Sequence, residues 1–193
     1  PEGSSLYVLQ RNFNKYYLNK QGLPICVKGF VQGESYISYL ESHIGAKYFV
    51  RMDIKDFFPS ITSEIIKDTF SHLLSFDTDE EKEKILELIS EICTYEGVLP
   101  QGVPTSPVIS NIVMTRIDQR ITKYCQILGI TYTRYADDML FSSNMFDFKT
   151  KKWFIKKIKF ILASMHFKIN YSKLKFSENE ISLNGYVVSD TGI

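Results

Sequence analysis

Two adjacent aspartates, Asp137 and Asp138, lie between two short runs of β-forming residues, and this arrangement constrains the fold more than any other part of the sequence. The flanking residues are aromatic, β-branched or otherwise apolar, which predicts the two strands of a hairpin over residues 130–142. The acids then fall at the turn, where two carboxylates repel each other unless they are solvated, meet a basic group or hold a cation. Hard divalent ions such as Mg²⁺ prefer oxygen ligands of this kind. From these residues alone, a turn at the protein surface is an equally good interpretation.

A third acid, Asp53, ends a predicted strand over residues 48–54, and Pro59 stops strand pairing soon afterwards. An acid at the end of a strand can meet the acids of a hairpin across a sheet. Such carboxylates can hold two metal ions about 3.5–4 Å apart, the arrangement used for in-line nucleotidyl displacement. Asp56 is expected to lie close to the same site.

These two segments resemble the core motifs of a reverse transcriptase of the prokaryotic retron or group II intron type, together with Leu99-Pro-Gln-Gly-Val-Pro-Thr-Ser-Pro-Val-Ile-Ser-Asn111 between them. The order matches the family: an acid followed by two aromatics and Ser-Ile, then Pro-Gln-Gly opening a helix, then Tyr-Ala-Asp-Asp. The resemblance implies an RNA-directed DNA polymerase, a nucleotidyltransferase in which Asp53, Asp137 and Asp138 are the catalytic and metal-binding acids. It implies two Mg²⁺ ions as cofactors, with Mn²⁺ as an alternative.

The resemblance also implies a pocket for the incoming deoxynucleotide. Gln101 and Gly102 approach a predicted helix start, where free N–H groups and the missing Cβ of glycine let a nucleotide come close. Phe58 would stand under the sugar and exclude a 2′-hydroxyl. Lys173, preferred over Lys175, would lie near the pyrophosphate leaving group. The nucleotide-binding residues expected are Asp56, Phe58, Gln101, Gly102 and Lys173.

Template and primer are expected to contact the N-terminal part of the chain. A helix predicted over residues 6–18 carries Arg11, which can face a phosphate backbone. The segment Gly29-Phe-Val-Gln-Gly-Glu-Ser35 resembles a part of the family's fingers lobe in which a glycine-rich turn comes close to the template. An ordinary turn before a helix over residues 35–43 explains it equally well. The nucleic-acid-binding residues expected are Arg11, Gly29, Gln32 and Gly33.

The predicted elements indicate an α+β fold, a ferredoxin-like antiparallel sheet backed by helices, which is the reverse transcriptase palm. Further strands are predicted over residues 167–171 and 183–188, a long helix from residue 105 or 106 to 128, and another helix over about 150–165. The expected domains are partial fingers over 1–47 and a palm over 48–193, with a fingers-like helical insertion over about 62–97. The thumb and a basic fingers element are expected outside this sequence, which is then a piece of a longer protein.

The composition limits the other protein classes. With 193 residues, of which 44% are apolar, the chain can build a core. No apolar run approaches the ~20 residues of a membrane span and no signal peptide opens the chain, so no membrane partner and a cytoplasmic location are expected. The net charge of +1 indicates no polyanionic partner by itself, so any basic surface must come from uneven distribution. The cysteines Cys26, Cys93 and Cys125 are far apart, which predicts buried thiols.

The partners expected are an RNA template, a DNA or RNA primer and deoxynucleoside triphosphates. A retron type would add a cognate non-coding RNA and an effector protein, in antiviral defence. Two alternatives stay open: a phage-defence reverse transcriptase making untemplated or protein-primed DNA, and a catalytically silent nucleic-acid-binding scaffold. The three acids disfavour the scaffold, because adjacent carboxylates are costly to retain without a use.

Overall fold

The computed structural model describes residues 3–193 and contains a four-stranded antiparallel sheet. The strands are β1 (Tyr48–Asp53), β2 (Thr131–Tyr135), β3 (Asp138–Ser143) and β4 (Lys175–Glu178). Their order across the sheet is β2-β3-β1-β4. Helices lie in sequence between β1 and β2 and between β3 and β4, which is the split βαβ arrangement. The predicted α+β fold with a ferredoxin-like antiparallel sheet is therefore confirmed.

Six α-helices occur within residues 3–193. They are α1 (Ser5–Tyr16), α2 (Tyr36–Glu41), α3 (Ser63–Leu73), α4 (Asp79–Cys93), α5 (Ser106–Ile127) and α6 (Trp153–Ala163). The helix α3 begins with an N-cap at Thr62, whose side chain accepts a hydrogen bond from the backbone N–H of Ile65. Short 3-10 turns are formed by Leu18–Lys20 and Tyr171–Lys173.

The chain divides into two compact units. The helical unit comprises the residues before Pro24 together with Asp56–Met114, and so contains α1, α3, α4 and the first part of α5. The sheet unit comprises Pro24–Lys55 and Thr115–Ile193, with all four strands, α2, α6 and the rest of α5. Residues 24–47, expected as fingers, thus group with the sheet. The assignment of fingers and palm as functional lobes stays a prediction.

Aromatic side chains pack in the core of the helical unit. Phe13 stacks on Tyr17 with ring centroids 5.6 Å apart, and both rings contact Phe70 of α3. The side-chain amide of Gln10 donates to the carbonyl of Ile92 at 2.7 Å, which fixes α1 against the end of α4.

The two faces of the sheet carry different chemistry. Val50 of β1 is the register partner of Phe141 on β3, and the Phe141 ring meets Phe154 of α6 edge to face at 5.2 Å. Side chains alternate along a strand, so Asp53 and Asp138, each three residues from one of these positions, lie on the opposite face. The helix α6 therefore covers one face, and the acids lie on the other.

His43 ties α2 to the hairpin of β2 and β3. It is fully buried, and its ring nitrogens lie 2.7 Å from the hydroxyls of Ser142 and Thr133. Thr133 donates its hydroxyl hydrogen to the Tyr39 carbonyl, so it accepts from Nε2–H of His43, and Nδ1 accepts from Ser142. Burial lowers the pKa of His43 to about 3. The imidazole is neutral and acts as a packing residue.

One strand predicted near the C-terminus was wrong, and a second is interrupted by a turn. Residues 167–171 form only an isolated bridge between Ile169 and Ile54, and the strand that pairs with β1 on the side away from β3 is β4. Residues 183–188 are part of a hairpin of β5 (Ile181–Leu183) and β6 (Tyr186–Val188). Its turn is Asn184-Gly185, with φ of 49° and 87°, and two positive φ values are what a two-residue hairpin loop requires.

The composition predicted buried cysteine thiols and no membrane-spanning segment. Cys26, Cys93 and Cys125 are free and buried. No helix within residues 3–193 combines the length and the apolar character that crossing a lipid bilayer requires.

A fully buried ion pair joins α5 to β2. Nη2 of Arg134 lies 2.7 Å from Oδ2 of Asp118, and neither side chain is exposed to solvent. Nε of Arg134 and the Tyr132 hydroxyl also donate to the Asp118 carboxylate. Burial opposes the charged form of Arg134, but the neighbouring carboxylate outweighs burial and raises the pKa of Arg134.

Replacing Asp118 with Asn should lower the free energy of unfolding by about 3 kcal/mol, because it leaves the Arg134 guanidinium buried without a counter-charge. Urea denaturation followed by circular dichroism measures this change. Glu80→Gln is the matched control, since it breaks an exposed ion pair with Lys84 and should cost less than about 1 kcal/mol. A cost for Asp118→Asn as small as that of the control would contradict the role of the buried pair.

Candidate active site

The three acids predicted from the sequence are brought together where β1 meets the hairpin. Asp53, the last residue of β1, is the register partner of Asp138, the first residue of β3. Partners across antiparallel strands project to the same side of the sheet. Asp137 precedes Asp138 in the turn, and its carbonyl accepts a hydrogen bond from the Ile54 N–H at 3.0 Å. Asp138 is thus a strand residue, and of the two adjacent acids only Asp137 lies in the turn itself.

The turn is held from within the protein by the buried Arg134. Ala136, the first turn residue, has φ of +55°, a conformation that costs a residue with a Cβ roughly 1–2 kcal/mol. Nη1 of Arg134 donates to the Ala136 carbonyl at 2.9 Å, while the rest of the guanidinium binds Asp118. The ion pair that stabilises the sheet unit therefore also fixes the position of Asp137.

The segment before α2 supports the same turn from the edge of the sheet. The N–H groups of Lys28 and Gly29 donate to the Arg134 carbonyl, and the Arg134 N–H donates to the Cys26 carbonyl at 2.7 Å. A Cβ added to Gly29 would lie 2.5 Å from the backbone nitrogen of Ala136, which is too close for any other residue. Gly29 therefore has a structural reason to be glycine, and its expected contact with nucleic acid stays a prediction.

Asp53 is almost completely buried and is bound by a cation and an amide. Nζ of Lys173 lies 2.8 Å from Oδ2, and Nδ2 of Asn170 lies 3.1 Å from Oδ1. The hydrogen bond to Asp53 raises the pKa of Lys173, whose side chain is half exposed. Lys175 instead donates to the Ser182 carbonyl at 3.0 Å. Of the two lysines weighed from the sequence, Lys173 is the one that contacts an acid of the site.

Asp138 is bound by Arg51 through two parallel hydrogen bonds. Nε and Nη2 of Arg51 lie 2.6 Å from Oδ1 and Oδ2, which is the strong bidentate geometry. The hydrogen bonding raises the pKa of Arg51. The sequence analysis did not single out Arg51 or Asn170. Arg51 precedes Asp53 by two residues, so strand periodicity alone would have placed both side chains on one face.

Asp137 is the acid with the least compensation. Among the ion pairs formed within residues 3–193, none involves Asp137, in contrast to Asp53 and Asp138. Burial raises the pKa of Asp137, and the charges of Asp53 and Asp138 raise it further, while a backbone hydrogen bond and the charge of Lys173 oppose the shift. Three carboxylates are therefore balanced by only two cationic side chains.

The donor set fits a hard divalent cation, since carboxylate oxygens are the ligands that Mg²⁺ prefers. Over the described part of the chain, no three acidic, histidine or cysteine side chains converge as a ready metal cluster. A cation at this site would therefore compete with Lys173 and Arg51 for the carboxylate oxygens.

The other predicted nucleotide-binding residues belong to the helical unit. Asp56 is exposed with φ of +48°, and Gly102 is exposed with φ of +83° in the turn before α5, where Gln101 is exposed as well. Phe57 is buried and Phe58 is half-buried, with ring centroids 5.4 Å apart. The roles expected for these residues stay predictions.

Three of the residues predicted to contact nucleic acid are exposed to solvent. Arg11 is exposed on α1, with its guanidinium 6.0 Å from the centre of the Tyr7 ring. Gln32 and Gly33 are exposed in the turn before α2. Their contacts with nucleic acid also stay predictions.

Comparison with known proteins adds a family match to this geometry. A family model described as reverse transcriptase (RNA-dependent DNA polymerase) matches residues 5–188. The retron Ec86 reverse transcriptase of Escherichia coli is 36% identical over 115 residues, which are 60% of this chain and 34% of that protein. The retron Mx162 reverse transcriptase of Myxococcus xanthus is 37% identical over 134 residues, 62% of this chain and 28% of that protein. The expected resemblance to retron enzymes is confirmed, and the group II intron part stays a prediction.

The chain spans about a third of the length of these two curated relatives. Among solved structures, apo telomerase from Candida tropicalis truncated from its C-terminal domain superposes with a TM-score of 0.54 at 16% identity, covering 77% of this chain and 35% of that one. At this identity the superposition shows a shared fold alone.

Without divalent cations, replacing Asp137 with Asn should stabilise the protein at pH 8. A carboxyl with a raised pKa binds more protons in the folded than in the unfolded state, so stability falls as pH rises from the ordinary pKa through the raised one. Asp137→Asn has no carboxyl to ionise, so its stability does not fall in this pH range. We expect its Tm to rise by about 1–3 °C at pH 8 and less at pH 4, measured by calorimetry in EDTA.

Asp138→Asn is the control for this prediction, since it makes the same chemical change beside the first. Its Tm should fall, because Arg51 loses its charged partner. A lower Tm for Asp137→Asn at pH 8 would show that the Asp137 carboxylate is compensated in the folded state.

Proposed function

Because the chain belongs to the reverse transcriptase family, we propose that the protein is an RNA-directed DNA polymerase of the retron type, which adds deoxynucleotides to a primer 3′-OH. The observation that carries the proposal is the gathering of Asp53, Asp137 and Asp138 at one end of β1, within the part of the chain that matches the family. The chain spans only part of its relatives, so the activity is assigned to the full-length protein.

In this proposal Asp53 and Asp137 are the main ligands of two divalent cations, Mg²⁺ or Mn²⁺, and Asp138 is the supporting acid. Such ions favour deprotonation of the primer 3′-OH and neutralise charge on the α-phosphate and the pyrophosphate. The chain itself contributes placement: Arg134 fixes the turn that carries Asp137, and Arg51 orients Asp138.

Lys173 is proposed to act on the leaving group. Its ammonium is protonated at neutral pH, half exposed and already positioned at Asp53, so it can neutralise or protonate a departing phosphate. Phe58 is proposed to exclude the 2′-hydroxyl of ribonucleotides, and Asp56, Gln101 and Gly102 to contact the incoming nucleotide.

The proposed partners are an RNA template, a DNA or RNA primer and deoxynucleoside triphosphates. The retron type adds a cognate non-coding RNA and an effector protein, in antiviral defence. We place the protein in the cytoplasm, a reducing compartment in which its three buried thiols would stay free.

Extension of oligo(dT) on poly(rA) with Mg²⁺ by the full-length protein tests the proposal directly. Asp53→Asn or Asp137→Asn should lower the extension rate at least about a hundredfold, because each removes a charged metal ligand worth several kcal/mol in the transition state. Asp190→Asn is the matched control at an exposed acid and should leave the rate unchanged.

Three outcomes would overturn the proposal or part of it. An Asp137→Asn rate above a few per cent of wild type would exclude Asp137 as a metal ligand. DNA synthesis by the wild type without poly(rA) would favour the untemplated or protein-primed alternative. If the folded wild-type protein binds template and primer without extending the primer, the alternative of a catalytically silent scaffold would be favoured.

The role of Lys173 is separated from that of a general phosphate contact by comparing it with Lys175. Lys173→Ala should slow single-turnover nucleotide addition by about a hundredfold, the usual contribution of a positioned acid, with little change in nucleotide Kd. Lys175→Ala should change the rate less than about twofold, because that ammonium binds a carbonyl of β5. Weaker nucleotide binding by Lys173→Ala at an unchanged rate would assign it to phosphate binding instead.

A further inference from the structure

Positive charge is concentrated in the sheet unit. This unit contains 17 basic and 10 acidic side chains, a net charge of +7, whereas the helical unit has 6 basic and 11 acidic side chains among its described residues. The net charge of +1 for the whole chain conceals this asymmetry. Within the sheet unit, residues 148–177 contain no acid and nine lysines: Lys149, Lys151, Lys152, Lys156, Lys157, Lys159, Lys168, Lys173 and Lys175.

Four of these lysines are arranged around two exposed aromatic rings on α6. Lys152, Lys156 and Lys159 follow the i, i+4, i+7 spacing and form one row along the helix. Trp153 and Phe160, which are 48% and 64% exposed, lie beside this row at a spacing of seven residues. We call the surface formed by Lys152, Trp153, Lys156, Lys157, Lys159 and Phe160 the lysine–aromatic face.

Lys157 lies beyond the aromatic rings, on the side away from the row of three. At 100° per residue, Trp153 and Phe160 fall between the row and Lys157 around the helix. The Lys157 ammonium is 5.3 Å from the centre of the Phe160 ring and 5.8 Å from that of Tyr124 on α5. The rings are therefore bordered by positive charge on both sides.

The lysine–aromatic face is separate from the candidate active site. The buried side of α6 packs through Phe154 onto Phe141 of β3. Phe141 and Asp138 are three residues apart on one strand and so project to opposite faces of the sheet. The lysine–aromatic face thus lies on the far side of the sheet from the three acids.

The chemistry of this face matches a single nucleic-acid strand. The row from Lys152 to Lys159 is about 10 Å long at 1.5 Å per residue, and each of its three ammonium groups can contact one phosphate of a strand. Exposed aromatic rings next to such a row offer surfaces on which unpaired bases stack. The position of two exposed rings between positive charges distinguishes this face from a lysine-rich helix that is only solvated.

We propose that the lysine–aromatic face binds single-stranded RNA at a second site, distinct from the active site. The choice of RNA rests on the proposed function, since RNA is the strand that such a polymerase must hold before any DNA exists. On this basis the face retains an unpaired part of the RNA while another part is copied on the opposite side of the sheet.

The test is the salt dependence of binding of a fluorescent, unstructured 20-nucleotide oligo(rU), measured by anisotropy with the full-length protein. Each single-strand phosphate contact contributes about 0.7 to the slope of log K against log salt. The triple variant K152Q/K156Q/K159Q should therefore reduce the slope by about 2 and weaken binding at least tenfold at 0.1 M salt. F160A should weaken binding with the slope unchanged, because it removes stacking and no charge.

The matched control is K67Q/K82Q/K84Q, which removes the same charge from α3 and α4. Lys67 and Lys84 pair with glutamates there, so this variant should keep the wild-type slope within experimental error. Each lysine of the row is exposed, so the triple variant should fold. If its melting curve shows otherwise, the three single variants should each lower the slope by about 0.7.

Three results would overturn the proposal. The first is an equal salt slope for K152Q/K156Q/K159Q and the control variant. The second is binding of oligo(dT) that is as tight as that of oligo(rU) and is weakened as much by K152Q/K156Q/K159Q. The third is displacement of the RNA by polyglutamate at equal charge concentration. Primer extension by the wild type separates this proposal from the polymerase assignment. If the wild type extends the primer but the triple variant keeps the wild-type salt slope, only the second RNA site is wrong. If the triple variant lowers the slope but the wild type does not extend the primer, only the polymerase assignment is wrong.

Discussion

Three carboxylates gathered at the junction of β1 and the hairpin carry more negative charge than their surroundings neutralise. Arg51 compensates Asp138 and Lys173 compensates Asp53, while Asp137 has a raised pKa because it is partly buried beside the other two acids. The local structure must therefore hold Asp137 in place against repulsion. The uncompensated charge is also what suits the site to a divalent cation and to the phosphates that such a cation brings.

The hairpin resists this repulsion through contacts that lie outside the site. The turn accepts a strained φ at Ala136 because the buried Arg134 binds its carbonyl, and Arg134 is itself held by Asp118. From the sheet edge, the backbone at Gly29 approaches the turn so closely that no side chain fits. Stability and function are linked here, since the groups that keep the sheet unit folded also determine where Asp137 lies.

Local sequence patterns predicted the elements that form from neighbouring residues. The alternation and turn chemistry predicted β1, the hairpin and the places of the three acids. The strand predicted over 167–171 is reduced to one bridge with the end of β1, made by the backbone N–H groups of Asn170 and Lys55, because the 3-10 turn Tyr171–Lys173 then ends the pairing. This long-range contact leaves no periodic signal in the sequence. Likewise, the net charge of the chain conceals its basic part. The nine lysines over residues 148–177 can be read from the sequence, but only the fold shows that they belong to a unit with a net charge of +7.

We propose that Asp137 and Asp53 hold divalent cations, and that Asp138 supports the site while paired with Arg51. Electron paramagnetic resonance of free Mn²⁺ in titrations of the nucleic-acid-free protein measures this most directly, because it counts bound ions without requiring catalysis. Wild-type protein should bind Mn²⁺, Asp137→Asn should abolish most of this binding, and Asp138→Asn should retain it with a modest loss of affinity. Mn²⁺ binding that is unchanged in Asp137→Asn would exclude Asp137 as a ligand.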